Sequence, residues 1–159
     1  NLIISALKGI MPERFSIEGG FNQVIKAITE EIGEITNVFA FLPPDRAMLW
    51  GKDLHQFGFN IILCPIVRDK DGAEQDTTDS RLMELGEWLI NNIEGLTHLC
   101  IGSGDKDFSF LMKKAAFKGL KRIVIAADLR SLSSELIKLT DTNPLTSRKM
   151  VFLFSPIEK

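Results

Sequence analysis

The chain has 159 residues, 45% of them hydrophobic and 25% charged, the balance of one globular domain and not of a coiled coil, linker or disordered tail. Nineteen basic and 21 acidic side chains leave a formal net charge of −2, which excludes a strongly basic nucleic-acid coat protein but leaves room for a local basic patch. No run approaches the ~18 apolar residues of a membrane span, and no basic stretch leads into an apolar segment at the start, so the expected setting is cytoplasmic.

The chain opens on Asn1-Leu2-Ile3-Ile4, which reads as the middle of an element, so a segment upstream is expected. Residues 21–33 carry apolar side chains at Phe21, Ile25, Ile28 and Ile32, one stripe of a helix that Gly33 can end. Val38-Phe39-Ala40-Phe41-Leu42, stopped by Pro43-Pro44, is a buried strand. A helix follows from Pro44, with Trp50, Leu54 and Phe57 inward and Gly58 where a left-handed C-cap is needed. The alternation then repeats. Strands are predicted at residues 60–67, 96–101, 120–126 and 150–154, and helices at residues 79–93, 107–118 and 131–139. Residues 68–75 have the composition of a loop. Neither a repeat nor a boundary divides the chain, so residues 1–159 form a single domain.

Strands alternating with helices at this spacing imply an α/β fold: a doubly wound, mainly parallel sheet with helices on both faces. Ligands bind such sheets outside the carboxyl ends of the strands, where the strand order reverses. Cys64 and Cys100 sit in apolar runs, as small core residues in a reducing compartment do. Neither cysteine forms zinc-ligand spacing with His55 or His98. Trp50 and Trp88 are expected in the core or at helix–sheet contacts. A Walker loop, a dinucleotide fingerprint and a nucleophile elbow are all missing from the sequence.

The sharpest feature follows the third predicted strand, where Gly102-Ser103-Gly104-Asp105-Lys106-Asp107-Phe108 sets two aspartates one residue apart at a strand-to-helix handover. One aspartate there is an ordinary helix cap. Two repel each other unless a cation lies between them, and hard divalent ions are held by one or two carboxylates with water and phosphate completing the shell. Asp76-Thr77-Thr78-Asp79 opens the preceding helix and supplies a second acidic pair, Asp76 and Asp79, which caps the helix or joins the first pair across the crevice. Charge is uneven along the chain. Residues 103–130 hold seven Lys or Arg against three Asp, whereas residues 11–34 hold two basic side chains against five Glu. Lys106, Lys113, Lys114, Lys118 and Arg122 are the candidates for a phosphate-binding flank, and a solvated helix face explains them equally well.

At these residues the sequence resembles the NYN domains, a branch of the PIN-like nucleases. The likeness lies in Ser103-Gly104-Asp105-Lys106-Asp107-Phe108 after an apolar strand, in residues 119–126, in residues 134–141, and in the acidic element at residues 76–82. The resemblance implies a PIN-like fold and a Mg- or Mn-dependent ribonuclease acting on single-stranded or structured RNA. It implies metal contacts from Asp79, Asp105 and Asp107, support from Asp76, and orientation of water or phosphate by Asn1 and Ser103. In the family a first strand ends in an aspartate that ligates the metal; Asn1 resembles the asparagine after it, so the first, central strand and that aspartate are expected upstream of Asn1. A catalytically inactive nucleic-acid- or protein-binding regulatory module of the same fold is the competing reading. A phosphohydrolase for small esters is the third, and homo-oligomerisation stays open.

Overall fold

A computed structural model of the chain describes residues 2–6 and 17–154, with side chains from Gln23 onward. Strands β1 (Leu2–Ala6), β2 (Asn37–Leu42), β3 (Asn60–Leu63), β6 (His98–Ile101), β7 (Lys121–Ala126) and β10 (Val151–Leu153) form one sheet. Its order is β10-β7-β6-β1-β2-β3, and every pairing in it is parallel. Two short antiparallel hairpins hang from it, β4 (Ile66–Arg68) with β5 (Glu74–Asp76) and β8 (Thr142–Asn143) with β9 (Arg148–Lys149). Helices α1 (Ile17–Glu31), α2 (Pro44–Gln56), α3 (Thr78–Asn92), α4 (Ser109–Phe117) and α5 (Ser134–Leu139) make the connections. No helix among the described residues is long and apolar enough to cross a membrane.

Alternation along the strands divides the core into two layers. Phe41, Leu99, Ile101, Val124 and Ala126 face one way and meet Leu82 and Leu89 of α3, Leu111 and Met112 of α4 and Leu136 of α5. Ala40, Leu42, Cys100, Ile123 and Ile125 face the other way and meet Val24 and Ile28 of α1 and Leu54 of α2. Both cysteines are free and buried, and burial pushes the Cys100 thiol well above its ordinary value. Gly58 takes φ 88°, a conformation other residues rarely adopt, and ends α2 as its sequence predicts.

Several boundaries differ from expectation. The strand expected at residues 60–67 breaks after Leu63, because Pro65 has no N–H to continue a ladder, and the chain turns into the β4–β5 hairpin. That hairpin replaces the loop read at residues 68–75. The central strand expected upstream of Asn1 is corrected too: Leu2–Ala6 itself stands in the central place, paired to β2 on one side and β6 on the other. An apolar run bounded by polar residues carries the same signal whether it is a strand or the stretch after one. Trp88 is 57% exposed on α3, against its expected burial. The alternation that assigned the helix did not resolve which side of it stays uncovered.

The amino end of the sheet is held by a bidentate ion pair. Arg122 donates from Nε to Asp141 Oδ2 at 2.9 Å and from Nη2 to Oδ1 at 3.0 Å, and the Arg122 backbone N–H donates to Oδ2 at 2.8 Å. Burial acts to raise the Asp141 carboxyl, but these hydrogen bonds and the guanidinium charge outweigh it and hold the pKa below its ordinary 3.8. Asp141→Asn should therefore lower the unfolding free energy by about 2 kcal/mol at neutral pH. A carboxyl with a depressed folded-state pKa contributes fully above its unfolded value and loses that contribution as pH falls through the folded one. Urea melts of wild type and variant should diverge at pH 7 and converge well below pH 3.8; an equal gap at both ends would show that the pair's charge does not stabilise the fold.

Candidate metal and nucleic-acid site

All six strands of the main sheet run the same way, so the loops after β6 and β7 and the approach to α3 emerge on one edge. The loop after β6 begins at buried Gly102 and Ser103, continuing the strand out of the core. The Ser103 hydroxyl oxygen accepts from the Asp105 backbone N–H at 3.1 Å. Asp105 Oδ1 accepts from the Asp107 N–H at 2.9 Å and caps a short 3₁₀ turn, Lys106–Phe108, that leads into α4. Phe108 is buried in the core and anchors the far end of the loop. Asp105, Lys106 and Asp107, between these fixed points, are exposed.

Gly104 is required at the middle of the loop. A Cβ there would overlap the Ser131 carbonyl oxygen and stand 2.6 Å from its carbon. The Ser133 N–H also donates to the Gly104 carbonyl at 2.9 Å. The segment after β7 thus lies directly on the segment after β6, and only a residue without a side chain fits between them.

Asp79 and Asp76 occupy the same edge by another route. The Thr77 hydroxyl donates to the Pro65 carbonyl at 2.6 Å, tying the start of α3 to the end of β3. Asp76 Oδ1 accepts from the Thr78 N–H at 2.9 Å. Two strands, β2 and β1, stand between β3 and β6, a span of roughly 14 Å between their axes at ~4.8 Å per strand. Among the described residues no three His, Cys, Asp or Glu side chains gather as a metal site, so Asp79 does not close with Asp105 and Asp107 into one cluster. Asn1 lies outside the described residues. A magnesium-type ion needs less than a three-carboxylate cage, because one or two hard oxygen donors suffice when water and phosphate supply the rest. Exposed Asp105 and Asp107 fit that requirement.

The candidate cations separate. Lys113 pairs with Glu135 at 3.9 Å, and Lys114 pairs with Glu87 at 3.1 Å while lying 5.6 Å from the Phe110 ring centroid. Arg122 stands at the start of β7, on the opposite edge, with its guanidinium committed to Asp141. Lys118 follows the last turn of α4, which runs from the aspartate loop toward that same opposite edge. Lys106 remains beside the carboxylates, and it makes no ion pair among the described residues. Lys113, Lys114, Lys118 and Arg122 are thus not brought to the site as a track. Their acidic partners are distant in sequence, where helical spacing gives no sign of them.

The helix expected from residue 131 starts only at Ser134, and residues 128–133 form a turn and a cap before it. Asp128 Oδ1 accepts from the Ser131 N–H at 2.9 Å, and the Ser131 hydroxyl donates to the Asp128 carbonyl at 3.0 Å, closing a turn. Ser133 then caps α5, its hydroxyl oxygen accepting from the Leu136 N–H at 3.2 Å. The Ser-Ser pair followed by Glu135 is the N-cap signal that could have moved the helix start two residues on.

The profile of the NYN domain family matches residues 12–145. Among solved structures, the fold is similar to that of a protein of unknown function from Vibrio parahaemolyticus RIMD 2210633, with a TM-score of 0.60 and 17% identity over 99% of this chain and 93% of that one. No curated protein sequence matches the chain significantly.

The contact at Gly104 yields a direct test. Gly104→Ala should destabilise the protein by about 3 kcal/mol, since the added methyl meets backbone that cannot rotate away. Chemical denaturation measures it; a change under ~0.5 kcal/mol, the ordinary range for a surface substitution, would mean the two loops are not held together.

Proposed function

From the premise that the chain belongs to the NYN domain family, within the PIN-like α/β folds, we propose that it is a Mg- or Mn-dependent ribonuclease working at the carboxyl edge of a doubly wound sheet. The observation that carries this reading is the β6–α4 loop. It presents Asp105 and Asp107 exposed, on a backbone fixed by Ser103, Phe108 and the Gly104 contact.

Asp105 and Asp107 would hold the cation, Asp79 faces the substrate from the start of α3, and Asp76 supports that turn. When bound, the ion lowers the pKa of a water and offsets charge on the scissile phosphate. The protein's own residues do the rest. Lys106, set between the two aspartates, attracts the RNA backbone toward them. Ser103 holds the Asp105 backbone and so the direction of its carboxylate. Attack by water in line with the departing 3′ oxygen leaves a 5′-phosphate and a 3′-hydroxyl. Histidine plays no part: His98 begins β6 and His55 lies in the last turn of α2, both at the far edge. Two free, buried thiols suit a reducing, cytoplasmic setting.

A second reading, an RNA-binding module without turnover, is favoured by one observation: the described residues hold no three-ligand cluster. Divalent dependence separates the two. With Mg or Mn the intact protein should cleave single-stranded or looped RNA, and a chelator should abolish cleavage. Asp105→Asn should reduce the rate by about a hundredfold or more, with the fold intact because the amide oxygen can still accept from the Asp107 N–H. RNA bound but uncut under all divalent conditions would support the module; undiminished cleavage by Asp105→Asn would remove this loop from the chemistry.

A further inference from the structure

One arginine among the seven cations of residues 103–130 has no part in the ribonuclease reading. Of the seven, Lys113, Lys114 and Arg122 stand within ion-pair distance of a carboxylate, and Lys118 and Lys121 lie toward or at the far edge. Lys106 and Arg130 remain on the side of the aspartates, both exposed and neither in an ion pair among the described residues.

Arg130 is at the tip of the turn after β7. Everything around it is fixed. Asp128 and Ser131 close the turn through three hydrogen bonds between them, Leu132 is buried in the core, and Ser133 caps α5. Only Leu129 and Arg130 project between Asp128 and Ser131, and both are exposed. The next residue, Ser131, is the one whose carbonyl lies against Gly104, and the residue after Gly104 is Asp105. The close backbone contact therefore places the stem of the Arg130 turn against the stem of the carboxylate loop.

Resting on the RNA reading above, we infer that Arg130 is a substrate-positioning residue that binds a phosphate of the RNA strand lying across Asp105 and Asp107. Its chemistry suits the task. A guanidinium is permanently charged and presents a planar fork of donors that matches two phosphate oxygens, and an unpaired one need not break an internal ion pair to bind. Lys106, the residue after Asp105, contributes a compact second charge. Phosphates carry no base identity, so Arg130 acts on RNA of any sequence.

The test uses the intact protein, a short single-stranded RNA of mixed sequence, and Arg130→Ala, Arg130→Lys and Arg148→Ala. Arg148, on β9 at the far edge, supplies a charge-matched control. Affinity measured at several salt concentrations gives the slope of log affinity against log salt. Arg130→Ala should flatten that slope by about 0.7, the loss of one single-strand phosphate contact. Arg130→Lys should restore most of the slope, and Arg148→Ala should leave it unchanged. In cleavage assays Arg130→Ala should raise KM more than it lowers kcat. Wild-type binding with a slope that Arg130→Ala leaves unaltered overturns the inference and spares the ribonuclease reading. Equal flattening by Arg148→Ala also overturns it, by showing only net charge at work. Wild-type protein that binds no RNA, with or without divalent ion, overturns both. Matched melting temperatures for the three variants confirm that the fold is not the cause.

Discussion

The backbone-to-backbone approach of Gly104 to Ser131 is the constraint on which the candidate site depends. Parallel strands β6 and β7 leave the sheet side by side, and each must hand over to a helix on the same face. The two handovers compete for one volume, and the chain resolves this by removing a side chain from one of them. The hydrogen bond from the Ser133 N–H to the Gly104 carbonyl then fixes their spacing. With the middle of the loop pinned, Asp105 can use one oxygen to cap a 3₁₀ turn and still remain exposed. Two like charges one residue apart are tolerated there because water screens them, which a buried pair would lack.

The two ends of the sheet differ in kind. At the amino end two ionisable groups are satisfied internally: Arg122 and Asp141 exchange bidentate hydrogen bonds, and His98 Nδ1 lies 2.8 Å from the Thr97 hydroxyl. At the carboxyl end, charged groups from two neighbouring loops are left facing solvent. A group already paired has spent its field on its partner, so the end where two exposed aspartates stand beside unpaired cations is the one suited to take an anionic polymer and a cation together. Ion pairs along α4 reinforce the contrast. They link α4 to α3 and α5 through Glu87 and Glu135.

Local chemistry was legible in the sequence wherever it was carried by neighbours along the chain. The aspartate loop announced itself because a buried strand, two glycines and two acids fall within a few residues, and Gly58 marked the end of α2 for the same kind of reason. What depended on distant partners was not legible. Nothing near Lys114 signals Glu87, and nothing near Gly104 signals Ser131. Strand order bears on Asp79 in the same way: β1 and β2 come between β3 and β6, so the local pattern of the acidic pair does not by itself bring it to the first pair. The helix expected from residue 131 begins late because serine suits the end of a turn and a helix start equally, and Ser131 closes the turn with Asp128.

The central claim is that the loop after β6 is where a divalent cation binds. Titrating manganese into the isotopically labelled intact protein and following paramagnetic broadening of backbone amides locates that ion without any need for turnover. The account predicts that Asp105, Lys106, Asp107 and Phe108 broaden first, followed by residues of the adjoining turn after β7 and of the start of α3. Broadening that begins at Arg122 and Asp141, or that spreads evenly over the surface acids at the same manganese concentration, would contradict it.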